Sequence, residues 1–142
     1  MMANGRRYRI IKSSPDLTVK VVGKTQAEVL ANSAFALFDL MTDVEKVQEQ
    51  DHLPLEVEGI DDDDLMVNWM RELLYLYQGS GYLLKEFEIH ETRDFYVRAE
   101  GRGEKFDPDR HEIKKDIRSV VYRQCRMGRT GDQWTAQISF EL

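Results

Sequence analysis

This sequence contains little cysteine and little proline, and it has no long apolar run. Its one cysteine, Cys125, excludes an internal disulfide and a zinc site built on several cysteines, and it suits a reducing compartment. No stretch approaches the roughly 20 apolar residues that span a bilayer. No apolar segment follows the N-terminal arginines Arg6 and Arg7, as a secretion signal requires. We therefore expect a cytoplasmic protein without a membrane anchor.

Length and apolar content indicate a single domain over residues 1–142. A chain of 142 residues is long enough for one compact domain and too short for two ordinary ones. Hydrophobic residues make up 42% of it, which is enough for a core that folds without disulfide bonds.

Charge is unevenly distributed along the sequence. The formal net charge of −6 argues against simple wrapping of nucleic acid. Residues 43–64 contain ten acidic side chains and one basic one, whereas residues 98–129 contain ten basic and six acidic ones. Such segments are typical of solvated surface of both signs. Alternatively, the acidic segment forms a face that docks on a basic partner, such as an RNA-handling enzyme.

Hydrophobic periodicity predicts two helices among several strands. Thr25 and Glu28 form a capping-box pattern that opens a helix ending near Met41, and a second helix runs from Asp61 to about Tyr77. Alternation of apolar and polar residues predicts strands at 6–12, 17–23, 53–59, 82–91, 95–100, 118–127 and 133–142. Because these strands are numerous and several are neighbours in sequence, we expect an α+β fold in which two helices cover one face of a largely antiparallel sheet.

Few residues carry a recognisable catalytic or metal-binding pattern. The run Asp61–Asp64 stands at a helix start, where carboxylates cap free N–H groups and complement the helix dipole, so we interpret it as a cap. No histidine is paired with another histidine or with cysteine, as zinc sites require. Cys125 has no histidine nearby and is interpreted as a packing residue. His111 lies in a polar loop after a predicted strand, and we keep it as a candidate contact residue.

Two carboxylates at strand ends are the best candidates for a metal site. Glu141 lies on the polar face of the last predicted strand, next to the terminal carboxylate of Leu142. Asp16 precedes the second strand on its polar parity. Together these oxygens could hold a hard cation, provided that the fold brings them together. Otherwise both carboxylates are ordinary surface residues.

Several blocks, taken in order, resemble the archease family. They are Gly23–Thr25, Ala34–Asp43, Asn68–Trp69 with Glu72–Leu76, Gly103–Glu112 and the ending Glu141–Leu142. The resemblance runs from about Ser13 to Leu142, and it implies a single cytoplasmic domain with a two-layer sandwich fold that is not itself an enzyme. Archeases help an RtcB-type RNA ligase to become guanylylated at its active-site histidine and to turn over repeatedly in tRNA splicing or RNA repair.

The resemblance also implies a metal site. Archeases bind a divalent cation, usually calcium, and the corresponding ligands here are Asp16, Glu141 and Leu142, so calcium or magnesium is the expected cofactor. Ser13 stands in place of the histidine in the family's His-Thr-Ala-Asp motif, and Arg123 stands in place of another histidine. Because an arginine forms bidentate pairs with carboxylates, Arg123 could pair with Asp16 or Glu141 in place of the metal.

Four residues within the matching blocks are the expected partner contacts: Asp43, Lys105, Asp107 and His111. The expected partner is an RtcB-type ligase, with tRNA or other RNA contacted only indirectly, and with no DNA. Two alternatives stay open. One is a divergent paralogue that binds a protein but has lost metal binding and ligase activation. The other is a small metal-dependent hydrolase that uses Asp16 and Glu141, although no nucleophile or general base with supporting spacing is visible.

Overall fold

Two helices and eight strands make up the described part of the computed structural model, which covers residues 7–142. In chain order they are β1 (Tyr8–Lys12), β2 (Leu17–Gly23), α1 (Gln26–Met41), β3 (Asp51–Glu58), α2 (Asp62–Ser80), β4 (Tyr82–Arg93), β5 (Tyr96–Lys105), β6 (Ser119–Val120), β7 (Arg126–Thr130) and β8 (Gln133–Glu141). Short 3₁₀ turns, Val44–Lys46 and Tyr122–Gln124, follow α1 and β6. The predicted first strand began at Arg6, which lies outside the described residues.

Side-chain caps determine where both helices begin. At α1 the Oγ1 atom of Thr25 accepts the backbone N–H of Glu28 at 3.1 Å, as predicted, and the Glu28 carboxylate accepts the N–H of Lys24 at 3.0 Å. At α2 the Oδ1 atom of Asp61 accepts the N–H of Asp64 at 2.8 Å, which confirms the aspartate run as a cap.

No helix in this part of the chain is long and apolar enough to cross a membrane.

The strands form two antiparallel sheets. One has the order β1–β2–β8–β6, with β7 also paired to β8, and the other has the order β3–β5–β4. The predicted α+β class, with two helices and largely antiparallel strands, is confirmed, and the strands are divided between two sheets. The predicted strand 118–127 is interrupted, because the chain leaves β8 after Val120 in a 3₁₀ turn and rejoins it at Arg126.

The helices pack on the inner faces of the sheets around a common hydrophobic core. In β2 and β8 the inner positions Val19, Val21, Ile138 and Phe140 are fully buried. Trp69 of α2 is fully buried as well, as the apolar ridge of that helix predicted. Side chains alternate between the two faces of a strand, so the intervening residues point to the opposite, outer face of the five-stranded sheet.

Candidate functional site

The register of the five-stranded sheet brings Asp16 and Glu141 to the same end. β2 and β8 pair with Leu17 opposite Phe140, so the next residues, Asp16 just before β2 and Glu141 at the end of β8, lie at the same end of the sheet. Because Leu17 and Phe140 point into the core, Asp16 and Glu141 belong to the outer face. Leu142 follows Glu141 directly, so the chain end lies beside the two predicted carboxylates.

A further oxygen donor, Ser119 of β6, joins this end of the sheet. Ser119 is opposite Glu141 in the ladder, and its Oγ atom donates to Glu141 Oε1 at 3.0 Å. The N–H of Arg118 donates to the Glu141 carbonyl oxygen at 2.8 Å, which holds the backbone in place. Sequence reasoning missed Ser119 because β6 has only two residues, too few for an alternating pattern.

The oxygen atoms at this end of the sheet suit a hard cation but carry few negative charges. Carboxylate and hydroxyl oxygens are ligands that calcium and magnesium prefer. Among residues 7–142, however, no group of three His, Cys, Asp or Glu side chains is arranged to hold a metal ion. A cation at Asp16 and Glu141 would therefore need the terminal carboxylate of Leu142, Ser119 or water as further ligands. Glu141 and Leu142 are exposed, so this site is open to a partner surface.

Arg123 does not form the salt bridge with Asp16 or Glu141 that its position suggested. Its side chain is exposed on the second 3₁₀ turn, and none of the salt bridges in the described part of the chain includes it. It lines two surface grooves instead. One lies on the outer sheet face with Thr18 and Gln137, and the other lies beside the aspartates that begin α2.

The polar loop after β5 closes over a buried carboxylate, Glu104, which lies near the end of that strand. Glu104 Oε2 accepts the backbone N–H of Gln48 at 2.8 Å and lies 2.9 Å from His111 Nε2. The Arg110 guanidinium pairs with the other oxygen, Oε1. His111 Nδ1 accepts the backbone N–H of Asp107 at 2.9 Å, so Nε2 carries the proton and donates to Glu104.

Hydrogen bonding keeps Glu104 ionised. Burial alone raises the pKa of a carboxyl group, but donors from Gln48, Arg110 and His111 outweigh burial, so the pKa of Glu104 lies below its usual value. The side chain of His111 is fully buried and both of its ring nitrogens bond inside the protein, so its contact role stays a prediction that this packing does not favour. Sequence reasoning missed Glu104, since a charged residue in a polar run shows no sign of burial.

The other three expected contact residues are accessible from the surface. Asp43 is exposed and caps the 3₁₀ turn that follows α1. It lines a surface pocket with Lys46 and loop residues 108–112. Lys105 is exposed and Asp107 is half-buried. A partner could reach all three side chains without unfolding the loop.

Cys125 is placed for packing. It is 1% exposed, and its Sγ atom lies 3.4 Å from the carbonyl oxygen of Val121. Burial raises the pKa of its thiol, which disfavours the reactive thiolate. The interpretation of Cys125 as a packing residue thus agrees with its surroundings.

Sequence comparison gives a match over nearly the whole described chain. The model of the Archease protein family (MTH1598/TM1083) matches residues 8–142. The archease of Methanopyrus kandleri is 31% identical over 93% of this chain and 96% of its own. The archease of Methanosarcina mazei is 29% identical over 100% of both chains.

Solved structures share the fold. Protein 1598 of Methanobacterium thermoautotrophicum, determined in solution, is 21% identical and aligns with a TM-score of 0.82 over 96% of this chain and 99% of its own. An archease of Thermotoga maritima, described as a possible chaperone, is 13% identical and aligns with a TM-score of 0.60 over 93% and 94% of the two chains. At sequence identities of 21% and 13%, the similarity to these two structures shows a shared fold and nothing more.

Proposed function

Since the chain belongs to the archease family, we propose that it promotes guanylylation and multiple turnover of an RtcB-type RNA ligase in tRNA splicing or RNA repair. The observation that carries this proposal is the placement of Asp16 and Glu141 at one open end of the sheet. The oxygen ligands at this end of the sheet can be reached by a partner, whereas the chain's one cysteine is buried and His111 is hydrogen-bonded inside the protein. This arrangement suits a protein that assists another enzyme's active site.

The proposal includes calcium or magnesium at this end of the sheet. Asp16, Glu141 and the terminal carboxylate of Leu142 would hold it, and Ser119 orients the Glu141 side chain. Three negative groups in one place repel one another unless a cation compensates. When bound, the cation supplies positive charge to the triphosphate in the ligase site. The ladder between β2 and β8 ends at Leu17 and Phe140, directly beside the two carboxylates, which supports a fixed position for their charge.

Calorimetric titration should detect weak binding of calcium or magnesium, with a Kd of roughly 0.1–1 mM, because the site has few carboxylates. The variant Asp16→Asn/Glu141→Gln removes both charges and should abolish the heat of binding. A matched variant, Asp132→Asn/Glu86→Gln, removes two exposed carboxylates elsewhere and should bind like the native chain. If the native chain binds neither ion, or if the first variant binds as well as the native chain, these carboxylates are ordinary surface residues.

Substoichiometric amounts of the protein should convert single-turnover ligation by the cognate RtcB-type ligase into multiple turnover. The measurements are covalent labelling of the ligase by radioactive GTP and the amount of ligated RNA per ligase molecule. Asp16→Asn/Glu141→Gln should lose this effect, because the presented charge is gone. Asp132→Asn/Glu86→Gln should keep it, because the two variants differ only in where the same charge is removed.

A divergent paralogue that only binds a protein is the second candidate function. Ser13 and Arg123 favour it, since both stand where the family has histidines. A full titration that leaves ligase turnover unchanged would reject activation. Co-purification of the protein with the ligase in that experiment would then identify the binding-only paralogue.

A further inference from the structure

A row of polar and cationic side chains crosses the outer face of the five-stranded sheet. Arg9 of β1 lies opposite Lys20 of β2, and Lys20 lies opposite Gln137 of β8. Gln137 in turn lies opposite Arg126 of β7. Residues directly opposite one another share a face, so the four side chains form one line across four strands. Three interstrand spacings make this line about 14 Å long.

A groove on the same face adds two further cations. Its lining contains no carboxylate and consists of Ile11, Lys12, Thr18, Arg123, Gln124, Arg126 and Gln137. The hydroxyl groups of Thr18 and Ser139 lie 2.7 Å apart and are buried within this face. We name the cations of the row and the groove the basic strip, which comprises Arg9, Lys12, Lys20, Arg123 and Arg126.

The cations of the basic strip have no acidic partner. None of them takes part in a salt bridge within residues 7–142. Arg9 and Lys20 carry like charges at directly opposed positions, an arrangement that destabilises a sheet. Arg126 Nη1 donates to the carbonyl oxygens of Arg123 at 3.0 Å and Cys125 at 2.9 Å, which leaves its other N–H groups for a ligand. The basic strip contributes little to the stability of the fold, so ligand binding explains it better.

Nearby aspartates do not neutralise the strip. Arg123 and Arg126 also border the aspartates at the start of α2. Asp63 Oδ1, however, accepts the backbone N–H of Met127 at 2.8 Å, and Asp61 Oδ1 caps the helix. One oxygen of each of these carboxylates is engaged by a backbone donor, and the two guanidinium groups remain more than 4.0 Å from any carboxylate of the described chain.

We propose that the basic strip binds the phosphate backbone of single-stranded RNA. Lysine, arginine, threonine and glutamine are the side chains that contact phosphates in nucleic-acid complexes. A protein partner would require buried aromatic or apolar anchors, and the groove offers only Ile11 among its lining residues. The lining contains no aromatic ring on which bases could stack, so binding is independent of sequence. This inference goes beyond the ligase proposal, because the RNA would touch this protein directly.

The strip and the strand-end carboxylates share one face and limit the path of the RNA. Thr18 and Ser139 lie one same-face step from Asp16 and Glu141, a distance of about 7 Å along the strands. Phosphates are repelled by those carboxylates, so the RNA backbone runs across the strands along the row rather than towards the strand ends.

Fluorescence anisotropy with a labelled oligouridylate of about ten nucleotides tests the proposal at low salt, on the order of 50 mM KCl. The variant Lys20→Gln/Arg126→Gln removes the charges of half-buried Lys20 and exposed Arg126 from the row and should weaken binding about tenfold. The slope of log K against log salt concentration should be shallower for this variant by about 1.4, because each of the two lost phosphate contacts contributes about 0.7 to the slope. The control Lys24→Gln/Lys115→Gln removes the same charge from exposed positions outside the strip and should bind within about twofold of the native chain.

Three outcomes would overturn the proposal. The first is no binding of the oligonucleotide by the native chain at low salt. The second is an equal loss in the control, which would show that overall charge, not the strip, determines binding. The third is displacement of the RNA by polyglutamate as effective as that by unlabelled oligouridylate, which would assign the strip to an acidic protein segment. Circular dichroism melts of both variants establish that the substitutions have left the fold intact.

Discussion

Replacing Trp69 by alanine should lower the free energy of unfolding by about 3–5 kcal/mol. The indole of Trp69 is fully buried in α2, and its Nε1–H donates to the carbonyl oxygen of Leu30 in α1 at 2.9 Å. Truncation removes the largest buried side chain and leaves a cavity that the two helices cannot close. The Leu30 carbonyl also loses a donor inside the core, which adds to the cost.

Urea melts followed by circular dichroism measure this loss. The control is Tyr75→Ala on the same helix, because Tyr75 is an aromatic residue that is 64% exposed. We expect the control to change stability by about 0.5 kcal/mol or less. If Trp69→Ala lowers the free energy of unfolding by less than about 1 kcal/mol, then either the core repacks around the alanine or α2 does not pack against the core as described.

Replacing Glu104 by glutamine should cost about 2–3 kcal/mol at neutral pH, in the range for leaving buried hydrogen-bonding groups without a partner. The carboxylate accepts hydrogen bonds from Gln48, Arg110 and His111. Glutamine replaces one of the two carboxylate oxygens with an NH2 group, which then faces either Arg110 or the donors of Gln48 and His111. The donors on that side lose their acceptor, Arg110 loses its opposite charge, and the attachment of the loop after β5 is weakened.

The loss at Glu104 should depend on pH in a defined direction. The pKa of Glu104 is below its ordinary value of 4.5 in the folded chain, so its contribution is present above that value and is lost as the pH falls through the folded pKa. The difference between the native chain and Glu104→Gln should therefore be constant near neutrality and shrink below about pH 4.5. The exposed loop residue Glu112 provides the control, Glu112→Gln, with an expected change under about 0.5 kcal/mol. A pH-independent difference would refute the ionised network.

Features that depend on residues close in sequence could be predicted from the sequence. Thr25 and Asp61 cap their helices through N–H groups three residues away, so the residue types and spacing were sufficient. The alternation of β8 likewise predicted that Phe140 points inwards and Glu141 outwards. These are local geometric consequences of a helix or a strand, and they need no knowledge of the partners.

Features that depend on residues distant in sequence could not be predicted in the same way. The division into two sheets is set by which strands pair, and single-strand alternation does not encode the partner. The contact of Ser119 with Glu141 follows from a two-residue strand. The burial of Glu104 and His111 arises only when the loop folds back onto Gln48, and the polar composition of that loop predicts the opposite.

β8 lies inside the five-stranded sheet and is the last strand of the chain. Its contact with β2, as between Thr18 and Ser139, joins residues 121 positions apart. At ribosomal rates of 5–20 residues per second, β2 is synthesised roughly 6–24 s before the residues of β8 that pair with it. The edge of β2 that later pairs with β8 therefore stays unpaired during this time, whereas β4 and β5 can pair as soon as they emerge. A newly made chain is most prone to aggregation during this interval, and a ribosome that stalls before β8 would leave β2, β6 and β7 without the strand on which they all pair.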